Sequence, residues 1–269
     1  MARARAAGVR FAAPCACSFG GESDFAPAVA QVRDIIVTGT SLTKSAAALA
    51  LATRLGAGVW ATAGVHPHDA SGWTPSSAEQ LAALAAHPKC VALGECGLDF
   101  NRNFSTPEAQ ETALRDQLAL AARLRRPLFL HCRDAAERME AILAEVLPLL
   151  SAPAVMHCFT GSAQEAARFA AMGLYVGFTG WACDEREGRA EALAEAIRAV
   201  PLERLLVETD APYLVPRSIV PAKARPRRNE PCLLPHVAAA VAAARGIDVA
   251  QLAAATTANA ERVFGLGRA

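Results

Sequence analysis

Pro127-Leu-Phe-Leu-His131-Cys-Arg-Asp134 places three large apolar residues directly before an imidazole. A short apolar run opened by proline reads as a buried strand. Such a strand ends in a histidine only where something compensates the polar group. Three further runs repeat the pattern: Cys90-Val-Ala-Leu-Gly-Glu95, Ala154-Val-Met-His157 and Leu205-Leu-Val-Glu-Thr-Asp210. Four strand ends of this kind, converging on one face, make a metal site rich in oxygen and nitrogen donors. That arrangement points to an enzyme.

Outward from these runs, β-branched apolar stretches alternate with longer Ala/Leu/Glu/Arg stretches at helical spacing. The expected strands are 34–38, 58–63, 91–93, 128–130, 155–156, 174–178 and 205–207. The expected helices are 41–55, 77–86, one from Pro107 capped by Thr106, 135–150, 162–172, 189–199, 234–245 and 248–264, the last capped by Asp248. Val91–Leu93 is expected to lead into a glycine-rich turn. An eighth strand near Gly8–Ala12 is only faintly marked. Repeating β-α units imply a parallel sheet covered by helices. Seven or eight of them in 269 residues match an α/β (β/α)8 TIM barrel with an atypical first strand. Barrels place their active sites at the C-terminal ends of the strands, where the polar residues lie. No G-x-G-x-x-G or phosphate-loop pattern supports an open nucleotide fold instead.

Composition sets the outer limits. The chain is 53% apolar and 20% charged, and proline and glycine are spread along it, so a single domain over 1–269 is expected. A formal charge of +1 excludes a polybasic protein that coats nucleic acid, though not a nuclease with a local positive surface. The eight cysteines form neither a C-x-x-C pair nor a zinc-finger spacing. Several sit in or beside strands, as reduced thiols of a cytoplasmic protein would. Cys132 and Cys158 each follow a candidate histidine ligand, and strand alternation turns them away from it. No stretch is apolar and long enough to span a membrane. Met1–Arg10 is Arg- and Ala-rich but lacks the hydroxylated residues of a transit peptide.

The polar residues divide by setting. Glu95 lies between glycines in Leu93-Gly-Glu-Cys-Gly-Leu-Asp99; it reads as a ligand, or as a salt-bridge residue at the barrel rim. Asp99 reads as an acceptor behind the ligands or as a loop cap. His131 and His157, at equivalent ends of consecutive strands, read as ligands. Asp210, with Ala211-Pro212 arguing against a helix cap, reads as a ligand and base. Glu208 shares its side of the strand one step deeper. His66, in Gly64-Val-His-Pro-His68, is placed to hydrogen-bond substrate, whereas His68 fits either a site or a structural role. His87 reads as a surface or capping residue, and His236 carries no chemistry. Imidazole plus carboxylate suits a divalent metal, and Mg, Mn and Zn all stay open. Arg133 follows His131 by two residues, and Arg217–Arg228 holds five cations without an acid. Arg133, Arg227 and Arg228 are therefore candidate phosphate contacts. Trp73, Phe104 and Trp181 are candidate stacking or packing residues.

Gly64–His68, Gly94–Asn103, His131–Asp134, His157–Gly161, Glu208–Tyr213 and Arg228–Pro231 together resemble, in order, the motifs of the TatD family of metal-dependent deoxyribonucleases. That family belongs to the metal-dependent hydrolase barrels, and the resemblance runs from about Ile35 to Phe264. It implies a metal-bridging role for Glu95, ligand roles for His131, His157 and Asp210, and an active-site role for His66. Many members carry a His-x-His pair on the first strand. Gly8–Cys17 has none, which is similar to one branch of the family. The resemblance further implies 3′–5′ exonuclease action on single-stranded DNA, with RNA as a second substrate, in DNA repair or degradation. A monomer with no membrane association is expected. An amidohydrolase or esterase acting on a small substrate is the nearest alternative. A catalytically inactive nucleic-acid-binding protein is the third, and metal-binding, nuclease and amidase assays separate them.

Overall fold

The computed structural model describes residues 32–266. Among them are seven strands: β1 Ile35–Val37, β2 Val59–Ala63, β3 Cys90–Asp99, β4 Leu128–Arg133, β5 Ala154–Met156, β6 Tyr175–Phe178 and β7 Leu205–Val207. They form one sheet in chain order, and the registered pairs are parallel. The helices are α1 Leu42–Leu55, α2 Ser77–Ala85, α3 Pro107–Leu124, α4 Ala136–Val146, α5 Ala163–Ala171, α6 Arg189–Ala199, α7 Leu234–Arg245 and α8 Val249–Phe264. The strand expected near Gly8–Ala12 lies outside the described residues. No single helix among them is long and apolar enough to cross a membrane.

The chain clusters into two compact units. One holds Ile36–His157 and Arg168–Tyr175, with the stretch from Arg262; the other holds Cys158–Ala167 and Val176–Glu261, with the stretch up to Ile35. In the first, β3 and β4 are the centre. Val91, Leu93, Leu98, Leu128 and Leu130 are buried, as are Leu114 and Leu118 of α3 and Met139 and Ile142 of α4. In the second, Val176, Phe178 and Leu205–Val207 are buried, as are Val237 and Val241 of α7.

Several helices are capped by the hydroxyl or carboxylate residue that precedes them. Ser41 Oγ accepts from Lys44 N at 3.2 Å, Thr106 Oγ1 from Ala109 N at 3.3 Å, and Asp248 Oδ1 from Ala250 N at 2.7 Å. Two expectations change. The helix anticipated over 135–150 ends at Val146, and a 3-10 turn, Leu147–Leu149, carries Pro148, whose ring cannot continue an α-helix. The turn anticipated after Leu93 is instead continuous strand: β3 runs ten residues to Asp99, buried throughout. Its register with β4 slips between Leu93 and Cys96, so a bulge replaces the turn.

Candidate metal centre

The close pairing of β3 with β4 depends on two glycines, Gly94 within the bulge and Gly97 beyond it. Gly94 has φ 125°, and a Cβ there would lie 2.0 Å from Phe129 O; at Gly97, φ 154°, it would lie 1.9 Å from His131 O. Only glycine lets β4 approach this closely. The close approach carries His131 onto Glu95, with His131 Nδ1 at 3.0 Å from Glu95 Oε1. His66 Nε2 lies 3.3 Å from the same oxygen and His157 Nε2 lies 3.6 Å from it. Three imidazoles thus face one buried carboxylate oxygen.

A second carboxylate stands behind the first. Asp99 Oδ2 meets His68 Nε2 at 2.7 Å and His131 Nε2 at 3.3 Å. Its Oδ1 accepts from Asn101 N at 3.1 Å and Arg102 N at 2.9 Å. Asp99 therefore fills both roles read from the sequence, orienting histidines and capping the loop after β3.

The electrostatics follow from burial and pairing. Burial pushes the Glu95 carboxyl up, but the His157 charge and the hydrogen bonds from His131 and His66 outweigh it, holding Glu95 well below the usual carboxylate range. Burial likewise pushes Asp99 up, and the His131, Arg102 and His68 hydrogen bonds bring it down further than that. Burial lowers His66 and its contact with Glu95 only partly offsets this. At His131 the opposite balance holds: burial lowers it, and the Asp99 and Glu95 hydrogen bonds raise it more. Both ring nitrogens of His131 face carboxylates.

Two imidazole nitrogens and a carboxylate oxygen from His66, Glu95 and His131, all within 4.8 Å of one another, form a group that can hold a divalent metal ion. The donor chemistry fits such an ion.

Residues 22–265 match the family model described as TatD related DNase. The chain belongs to that family. It is 54% identical over 237 residues to a Citrobacter rodentium protein named 3′-5′ ssDNA/RNA exonuclease TatD, covering 88% of each chain. To the proteins of the same name in Cronobacter turicensis and Escherichia coli K12 it is 57% and 52% identical, covering 87–88% of this chain and 88–89% of theirs. Among solved structures it is similar to YJJV, a TatD homolog from Escherichia coli, with TM-score 0.78, 31% identity and 89% of each chain covered. The fold is the α/β barrel of the metal-dependent hydrolases. A TatD family hydrolase from Entamoeba histolytica shares that fold at TM-score 0.74 and 24% identity.

The remaining candidates of this TatD family member fall into place unevenly. His66, read as a substrate contact, stands inside the candidate metal group. Asp210 follows β7 in the other unit with φ 55°, partly exposed, and its carbonyl accepts from Tyr213 N at 2.9 Å. Glu208 is buried, and its Oε1 accepts from Cys158 N at 3.2 Å. It lies over Gly177, where a Cβ would come within 1.6 Å of that oxygen. Cys158 departs from strand alternation, because β5 stops at Met156 and Cys158 takes φ 46°.

Arg133 closes β4, half-buried. In the arginine-rich loop, Arg225 is used internally: its Nε donates to Ile219 O at 2.9 Å and its Nη2 to Arg217 O at 2.6 Å. Arg217 pairs with the buried Asp184 at 3.6 Å, and Arg228 with Glu230 at 3.2 Å. Arg227 is exposed and lines a cavity of about 370 Å³ with Trp181, Arg186 and Arg217. Trp73 Nε1 is tied to Asp116 at 2.7 Å, and Trp181 lies 5.0 Å from the Arg189 guanidinium.

Two buried glutamines escaped the sequence reading. Gln117 Oε1 accepts from Val65 N at 2.8 Å and its Nε2 donates to Val65 O at 3.0 Å, clamping the residue before His66. Gln110 does the same to Asp99, accepting from its N at 2.8 Å and donating to its O at 3.1 Å. Their signal was present. They sit seven residues apart on the face of α3 that also buries Ala113, Leu114 and Leu118, where a polar side chain needs a partner.

Proposed function

We propose that this chain is a metal-dependent 3′–5′ exonuclease acting on single-stranded DNA and RNA. The observation that carries the reading is the convergence of His66, His131 and His157 on Glu95 Oε1, in a chain more than half identical to proteins bearing that name. His66, Glu95 and His131 would hold the ion. His157 and Asp210 are proposed as further ligands, His157 from its distance to Glu95 and Asp210 from its place at a strand end in the sequence. Mg, Mn or Zn would serve, with the imidazoles favouring a transition ion over Mg.

A bound divalent cation polarises the scissile phosphate and lowers the pKa of a water. The chain's own groups do the rest. Glu95 stays an anion at neutral pH because the imidazoles around it outweigh its burial. Asp99 fixes the His131 and His68 rings through Oδ2. Asp210 or Glu95 would orient the attacking water or take its proton, while His66, its Nδ1 accepting from His68 N, would serve as a ligand rather than as a substrate contact. Arg133, Arg227 and Arg228 would hold flanking phosphates without reading bases. Buried thiols at Cys90, Cys96 and Cys183, all pushed up by burial, fit a protein of the reducing cytoplasm. A monomer is part of the same reading.

The test is a polarity assay on single-stranded DNA labelled at either end, with added divalent metal and then with chelator. Stepwise loss from the 3′ end that stops on chelation supports the reading. Internal cuts, loss from the 5′ end or indifference to chelator would overturn it.

A further inference from the structure

Phe104 is a large apolar side chain left open beside the histidines of the candidate metal centre, with 66% of its surface exposed. A lone exposed phenylalanine means little by itself. Here three features add to it. The first is a relay of rings. Phe104 meets His68 edge-to-face at 4.8 Å and 81°, His68 meets His66 at 4.3 Å, and His66 meets His131 at 4.6 Å. The exposed ring is thus joined by contact to the histidines that face Glu95.

The second feature is the fixing of its loop. Asn101 N and Arg102 N donate to Asp99 Oδ1, and Asn101 Nδ2 to Asp134 Oδ2 at 2.7 Å. On the other side of Phe104, buried Ser105 donates to His68 O at 3.1 Å and accepts from Ser71 N at 2.9 Å. Gln110 Nε2 donates to Ser105 O at 2.9 Å. A loop pinned on both flanks holds its ring out in water rather than folding it onto the core. The third feature is chemical. Asp99 is common to both systems, one oxygen on the loop and the other on the histidines, so ring and metal group are set by the same side chain.

We infer that Phe104 is a stacking platform for a nucleobase at the 3′ end of the strand, seating that end at the metal group. The inference rests on the exonuclease reading and names the substrate feature the same site recognises. An edge-to-face contact with His68 leaves ring face available. Stacking on that face is indifferent to base identity, because every base presents a π surface. The site would therefore grip single strands of any sequence, in DNA or RNA, by the base rather than the sugar.

The test is a coupling experiment on the full chain. Wild type, Phe104→Ala and Phe104→Trp are compared on two strands, one ending in an ordinary nucleotide and one ending in an abasic unit. Binding is read on cleavage-resistant strands with a phosphorothioate 3′ linkage, and KM and kcat on ordinary linkages. Removing the base from the strand weakens wild-type binding by about tenfold, the scale of one base–aromatic stack. The same removal costs Phe104→Ala much less, since its stack is already gone, and Phe104→Trp restores the wild-type pattern. The loss appears in KM rather than kcat, with metal content at the parent level. Equal losses from base removal in wild type and Phe104→Ala would overturn the platform, as would failure of tryptophan to rescue. Failure of the exonuclease reading shows separately, as no 3′ release by wild type, while the binding coupling still reports on the platform.

Discussion

Glu95 is a buried carboxylate whose charge is kept by its neighbours. Burial alone would favour the protonated acid, and three imidazoles within 3.6 Å of Oε1 reverse that preference. His131 is the most constrained of the three, since both of its nitrogens face carboxylates. Replacing it removes a nitrogen donor and leaves Glu95 and Asp99 each short of a partner. His131→Ala is expected to lower metal occupancy and 3′ release together, each by at least about a hundredfold, beyond the range of changes that merely support a ligand. His87, which meets the exposed Thr53 Oγ1 of α1 at 3.4 Å, is the control. His87→Ala should leave both readings at the parent value. Metal analysis and nucleotide release on the same preparations check this, and an active, metal-loaded His131→Ala protein would remove His131 from the centre.

At the level of elements, α3 does more than cover the sheet. Gln110 and Gln117 reach from its buried face to the backbone at Asp99 and Val65, so one helix sets the position of two loops that carry site residues. Gln117→Leu keeps the volume and strands the buried Val65 N and O without their partner. A cost of about 1–3 kcal/mol per stranded group is expected, read as a lower Tm. Weaker metal binding should accompany it because His66 follows Val65. A lowered Tm with metal affinity unchanged would confine Gln117 to stability. The arginine loop makes the complementary case. Arg225 is taken up inside it, Arg217 reaches the buried Asp184, and Arg228 reaches Glu230. If Arg227 and Arg228 contact phosphates, replacing both with Ala flattens the salt dependence of single-strand binding by about 1.4 in log–log slope, at about 0.7 per contact. It also weakens binding to all sequences alike. An unchanged slope with a lower Tm would mean that the arginines brace the loop instead.

Across the whole molecule, the element order was legible because apolar strands and helical stretches alternate cleanly, and β7, α6 and α7 begin and end where the pattern placed them. Thr106 and Asp248 declared their caps by residue type. The convergence of Glu95 with His131 and His157 was legible as well, since equivalent strand ends carry equivalent groups. The continuation of β3 through Glu95 was not. Glycines on either side of a glutamate look like a turn, and only contact with β4 shows that they are points of close approach. His66 was read as a substrate contact because it lies beyond a strand in a Pro-containing turn, and sequence cannot show the 3.3 Å that separates it from Glu95. The glutamine clamps were hidden for a similar reason, since their partners are backbone groups 11 and 52 residues away.

The central claim is that the cluster around Glu95 is the metal centre of a 3′–5′ exonuclease. Glu95→Gln tests it most directly, because the amide keeps the shape and removes the charge that the three imidazoles surround. Bound divalent metal and mononucleotide release from the 3′ end of single-stranded DNA are measured on the same wild-type and variant preparations. The account predicts that wild type carries metal and releases nucleotides, and that Glu95→Gln loses both in parallel while its Tm shows it folded. A folded Glu95→Gln protein that keeps its metal and its rate would contradict it.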